Sequence, residues 1–136
     1  PEIYVKGDTI HTIWIDNRSG SYRLYYKRST DAGYTWSSDV MISQIGEVLP
    51  DRKRNISIAG KDNYVYIVYG IQSVSHTLRF AKSTDNGNSW GGYMNIRTGL
   101  VSPPDPSICA ASDSVRVVYC RSSLIYYCAS GNNGSS

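Results

Sequence analysis

The chain has 136 residues, enough for one domain of ordinary size, with 12 Tyr, 3 Trp and a net charge of +3. Its basic residues are scattered and build no nucleic-acid motif, so no nucleic-acid partner is expected. It holds no apolar run of about 18 residues, so no membrane insertion by a helix is expected, and no signal-peptide pattern opens the chain, which starts at Pro1 as a processed, cut or unrecorded terminus would.

In chain order, a short run at Pro1–Val5 meets a turn at Gly7-Asp8. A longer run, Thr9–Trp14, ends in an aromatic residue. A polar loop follows, then a third run at Arg23–Lys27, then a turn, then a fourth run at Asp39–Ile42. The same order recurs. Asn55–Ile58, the turn Gly60–Asn63, Tyr64–Tyr69, Thr77–Ala81 and Tyr93–Ile96 form the second copy. Pro106–Ala110, the turn Ser112-Asp113, Ser114–Tyr119 and Leu124–Cys128 form the third, without a fourth run. Runs of period two bounded by Gly, Asn, Asp and Ser are strands joined by hairpins. No helical period competes with them. The expected fold is therefore all-β, built of four-stranded antiparallel units of about 50 residues, the period of propeller blades. One domain, 1–136, should contain three blades at about 1–46, 47–101 and 102–136, the last incomplete.

The turn between the third and fourth runs carries the most specific signal. It reads S-T-D-x-G-x-x-W at Ser29, Asp31, Gly33 and Trp36, and again at Ser83, Asp85, Gly87 and Trp90, 54 residues from Ser29 to Ser83. A degenerate copy stands at Ser130, Asn132 and Gly134, with Asn in place of Asp. The chemistry is that of a turn. The carboxylate can accept backbone N–H groups, the glycine can take positive φ, and the indole can cover the loop. A Ser and an Asp two apart could suggest nucleophilic catalysis, but neither copy contains a His, and duplication points to architecture.

This motif resembles the Asp box, or BNR repeat, of sialidase-like β-propellers. The resemblance covers the whole chain, since the flanking strands repeat too, and Trp14–Gly20 leading into Tyr25–Ser29 looks like a standard blade of that group. It implies a six-bladed ring. It also implies, for an active sialidase, three Arg on the substrate carboxylate, a Tyr–Glu nucleophile pair and an Asp acid/base. The first Arg of such enzymes lies in a Phe/Tyr-Arg-Ile-Pro stretch, which is absent here. The nearest string, Tyr22-Arg23-Leu24-Tyr25, lacks the Pro and opens a third strand. Glu occurs twice, at Glu2 and Glu47, and no Tyr–Glu pair is evident. No catalytic residue is carried over, and the chain alone is not expected to be an enzyme.

Strand parity puts the boxed turns on one end of the blades and the second-to-third loops and inter-blade links on the other. The candidate ligand face is thus Asp16 and Arg18 (with Asn17 and Tyr22), Asp51, Arg52 and Arg54 in the first link, His76 (with Gln72 and Ser73), Asp105 and Arg121. Clustered Arg suits an acidic glycan; a solvated loop is the plainer reading. His11, mid-strand, and His76, in a loop, have no evident partner. Cys109, Cys120 and Cys128 lack C-x-x-C spacing, so no metal and no cofactor is expected. Open blade faces and an unpaired strand edge lead to an expectation of self-association, as a ring-closing dimer or a filament, or of a longer chain. The expected role is a non-catalytic extracellular or cell-surface module, structural or carbohydrate-binding. The alternative is one part of a sialidase-like glycoside hydrolase.

Overall fold

The structure, a computed structural model, describes residues 1–50 and 55–136. Among the described residues there are eleven strands and no helix. β1 (Glu2–Lys6), β2 (Thr9–Asp16), β3 (Arg23–Ser29) and β4 (Val40–Met41) form the first sheet. β5 (Ile56–Lys61), β6 (Tyr64–Ile71), β7 (His76–Ser83) and β8 (Gly91–Leu100) form the second. β9 (Pro106–Ala111), β10 (Ser114–Arg121) and β11 (Leu124–Ser130) form the third. Every neighbour is consecutive and antiparallel, so each sheet is a meander, as a propeller-like blade is. The hairpins β1–β2, β5–β6 and β9–β10 turn on two residues, with positive φ at Gly7, Asp62 and Ser112, the conformation that matches strand twist.

The sheets stack. β5 lies against both β1 and β9, so the first strands of the three sheets run side by side. Side chains alternate across a strand, and β6 shows what that does in a middle sheet. Val65, Ile67, Tyr69 and Ile71 pack toward the first sheet, while Tyr66 and Val68 pack toward the third. The unbroken apolar run Tyr64–Tyr69 is thus a strand covered on both faces. β10 keeps Val115, Val117 and Tyr119 buried and exposes Arg116 and Val118, because its other face meets no sheet among the described residues.

Three expectations are corrected. The fourth run of the first sheet shrinks to Val40–Met41, both exposed, since no described sheet covers that side, although Ile42 N still donates to Leu24 O at 2.8 Å. The fourth run of the second sheet extends to ten residues and contains register shifts, which Gly92 and Gly99 accommodate at positive φ. His76 is not in a loop. It opens β7, paired with Leu100, because the long β8 reaches far enough to extend the ladder.

Candidate functional site

The boxed turns close as their chemistry requires. Ser29 Oγ donates to Asp31 Oδ1 at 2.7 Å and accepts from Gly33 N at 2.8 Å. Asp31 also accepts from Thr35 N at 2.8 Å and Thr35 Oγ1 at 2.6 Å. The second turn repeats this with Ser83, Asp85, Gly87 and Ser89, including Ser83 Oγ to Asp85 at 2.8 Å. In the third, Asn132 accepts from Ser130 Oγ at 2.6 Å and from Ser136 N at 3.1 Å, and its amide donates to Ser136 Oγ. The hydroxyl and N–H of Thr35 and of Ser89 hold the Asp31 and Asp85 carboxyls down at about 2. Each turn is tied to the β1–β2-type hairpin of its own sheet, through Ala32 N to Asp8 O, Asn86 N to Asn63 O and Asn133 N to Asp113 O. The Asp31 and Asp85 carboxylate oxygens are thus taken up by hydroxyls and backbone N–H groups of their own turns.

One sheet grips the next sheet's turn. Arg28 Nη1 donates to Asn86 O at 2.5 Å, and Lys82 Nζ to Asn133 O at 3.3 Å. Trp90 packs edge-on against Tyr26 at 4.8 Å, whereas Trp36 remains 41% exposed with no described sheet before it. Beneath the second turn lies a pair that sequence reading left unconnected. His11, fully buried, has Nδ1 2.8 Å from Tyr26 Oη. Burial, helped by the nearby Arg28 charge, lowers the His11 pKa to about 4, and burial raises that of Tyr26.

At the opposite end, Asp16 and Arg18 do meet. Arg18 Nη2 lies 2.6 Å from Asp16, Arg18 Nη1 2.5 Å from Asp39, and Lys27 Nζ 3.0 Å from Asp39. The guanidinium lies over Tyr25 at 4.7 Å, and Tyr25 stacks on Trp14, whose indole N–H also donates to Asp16 at 2.8 Å. Burial alone would raise the Asp16 carboxyl, but the Arg18 and Trp14 hydrogen bonds outweigh it and lower its pKa. Two cations and two anions thus satisfy one another. Arg121 ends β10 and His76 opens β7, and neither makes an ion pair among the described residues. Asp51, Arg52 and Arg54 lie outside the described residues.

The link that follows β4 crosses this end. Val48 bridges to Gln72, and Leu49 N donates to Tyr22 O at 3.0 Å. This brings Glu47 to Tyr69, whose hydroxyl donates to Glu47 Oε2 at 3.0 Å, and to Arg79, 3.0 Å from Oε1. Arg79 also donates to Gln44 Oε1 at 2.8 Å. So a Tyr–Glu pair exists, contrary to the expectation. Tyr69 is wholly buried between the first two sheets, and burial, with the Glu47 charge, pushes its hydroxyl far above the usual range. Among the described residues there is no cluster of three or more His, Cys, Asp or Glu, and the three cysteines are unpaired.

With this geometry in view, the chain superposes on a solved structure, the Hadza microbial sialidase Hz136, over 95% of its own length with a TM-score of 0.63. The fold is sialidase-like. Identity to that enzyme is 14%, a likeness of fold alone, and the chain spans 34% of the enzyme's length. No protein-family model matches the chain, and no curated protein does either. In sialidase-like terms, the three sheets are propeller-like blades whose boxed turns and loop ends lie on opposite sides.

Proposed function

We propose that this chain is a non-hydrolysing Asp-box module of the sialidase-like fold, acting outside the cell or on its surface in scaffolding or glycan binding. The observation that supports this best is the state of Tyr69. A tyrosine nucleophile must reach the sugar and pass its proton to a carboxylate base. Tyr69 has the base, Glu47, but cannot reach a sugar: it is sealed between sheets, where burial holds its hydroxyl in the protonated form. Arg79, its neighbour, is ion-paired to Glu47 and is not open to a substrate carboxylate. For acidic glycans the proposed contacts are Arg52, Arg54 and Arg121 with His76, since Arg18 is engaged by Asp16 and Asp39. A fluorogenic sialoside assay should give no release above buffer, and a glycan array should show weak retention of acidic glycans that is lost in Arg52→Ala/Arg54→Ala. Release that disappears in Tyr69→Phe would overturn this reading. A second reading is favoured by the comparison: at 34% of the enzyme's length, a chain like this could be one arc of a larger hydrolase whose site draws on further blades.

Self-association belongs to the same proposal. The open face of the third sheet carries Val118, Ile125 and Tyr127, the last 62% exposed, and the open face of the first carries Ile3 and Val5. Patches of this kind mark interfaces. Two copies joined in this way would make a six-bladed ring, and unclosed repetition would make a filament. Multi-angle light scattering should report a mass above one chain of 15.1 kDa, shifted toward the monomer by Tyr127→Glu. A monomer at all concentrations would refute it.

A further inference from the structure

The first and second sheets are joined at both ends of their shared face. At the loop end the joint is the link after β4: Val48 bridges to Gln72, and Tyr69 Oη donates to Glu47 Oε2 at 3.0 Å. At the turn end the joint is the second boxed turn, which lies over His11: a Cβ on Gly87 would stand 3.4 Å from His11 Nδ1. Arg28 holds that turn down, through Nη1 to Asn86 O at 2.5 Å and Nη2 to Asn88 Oδ1, and Trp90 rests edge-on against Tyr26. The imidazole beneath is badly placed to take a proton. It is wholly buried, with Tyr4 of β1 stacked on it at 5.5 Å and Tyr26 of β3 at 6.0 Å. Nδ1 is engaged by Tyr26 Oη, and Nε2 has no hydrogen-bond partner. The charges acting on the ring are cations, Arg28 from β3 and Lys6 from β1; the Asn86 side chain favours the charged form but does not outweigh burial. The carboxylates of the covering elements are engaged elsewhere: Asp85 accepts from Ser83 and Ser89, and Asp62 lies 3.5 Å from Lys61. An imidazolium here would be a third cation without an anion, and lifting the turn would give it water.

The second junction lacks this device. Tyr66 pairs with Lys82 as His11 pairs with Arg28, and Phe80 stands where Tyr26 stands. Tyr66 Oη reaches Asn133 Oδ1 at 3.5 Å, and Lys82 Nζ reaches Asn133 O at 3.3 Å. A phenol and a phenyl ring take up no proton in mild acid. We propose that the first junction is an acid-opened hinge: protonation of His11 lifts the second boxed turn, residues 84–90, off the first sheet, while the loop-end joint and the second junction stay shut. Opening uncovers the rings of Tyr4, His11 and Tyr26 and the indole of Trp90, an aromatic strip that is concealed at neutral pH. The size of the effect follows from the proton affinities of the two forms. An imidazole that titrates at about 4 when covered and near 6.5 when wet raises the open population about twentyfold between pH 7 and pH 5. The hinge concerns how the sheets move and not what they bind, so it stands apart from the glycan reading.

The test uses the 136-residue chain labelled with 5-fluorotryptophan, whose three fluorine resonances report Trp14, Trp36 and Trp90 separately. As the pH falls from about 7 to about 4, the Trp90 resonance should move toward the position of a solvated indole and gain a solvent isotope shift. Trp14, Trp36 and the far-ultraviolet circular dichroism should stay as they were, and the imidazole C–H signal of His11 should titrate along the same curve. His11→Gln should hold Trp90 still across the range. His11→Tyr, which copies Tyr66 of the second sheet, gives the same reading if the first variant fails to fold. A Trp90 resonance that does not move overturns the proposal, whether or not His11 titrates. So does movement of all three indoles together with loss of circular dichroism, since the chain would then be unfolding as a whole. Movement of Trp90 that persists in the His11 variants also overturns it, because another group would be taking up the proton.

Discussion

Replacing Gly87 with alanine should cost about 3–5 kcal/mol of folding stability, while Gly33→Ala, at the same place in the preceding motif, should cost about 1–2 kcal/mol. Both glycines sit at positive φ, +80° and +93°, so both changes carry the backbone cost of a left-handed residue. Their surroundings differ. A Cβ on Gly87 would stand 1.8 Å from Tyr26 Oη and 3.4 Å from His11 Nδ1. Tyr26 is itself packed by Trp90 and bonded to His11, so it cannot step aside without breaking a buried hydrogen bond. A Cβ on Gly33 would stand 3.5 Å from Ile10 Cδ1, an ordinary contact. Gly134→Ala should fall between them, because its nearest neighbour is the Phe80 ring at 2.7 Å. Urea midpoints of the three variants, with unchanged slopes, would give the ranking. Equal losses at Gly87 and Gly33 would mean that the turn's own conformation dominates and that the junction between sheets contributes little.

The same comparison shows how far the sequence could be read. S-T-D-x-G-x-x-W is identical in pattern at both positions, and local chemistry accounts for every hydrogen bond inside it: Ser to Asp, Asp to the N–H four residues on, Gly to Ser. Runs of period two located the strands for the same reason, since each records a local choice of faces. What the pattern cannot say is which copy has a neighbour. The full apolar run of β6 was a clue that the second sheet is covered on both sides, against the alternation in β10. The Tyr69–Glu47–Arg79 cluster had no such clue, because Glu47 reaches Tyr69 only through the path of a link with no period of its own. His11 and Tyr26 were within reach. The hairpin register places Tyr26 opposite Ile13, and His11, two residues before Ile13, then lies on the same face. The candidate ligand face was read from parity alone, which fixes an end of the sheets but not which charges remain free there; the Asp16–Arg18–Asp39 set became visible only when β4 brought Asp39 alongside.

His11 also sets a pH dependence. Its pKa is lowered from 6.5 to about 4 in the folded chain, by burial first and then by the Arg28 charge. In the unfolded chain it returns to its ordinary value near 6.5. Between these two values the unfolded state holds a proton that the native state does not, so acid favours unfolding. The His11 contribution should be full above about pH 7, be lost as the pH drops from about 6.5 to 4, and change no further below. The expected loss is roughly 2–3 kcal/mol, after allowing for screening around Arg28. A second decline should follow below about pH 4, where Asp31 and Asp85, held near 2 by Thr35 and Ser89, remain ionised in the folded chain while their unfolded counterparts take up protons. The two windows separate, so a titration of unfolding midpoints can assign each. His11→Gln should abolish the upper decline and leave the lower one, with Tyr26 still facing a neutral polar group. An unchanged slope between pH 4 and 6.5 in that variant would show that His11 is not the group being protonated.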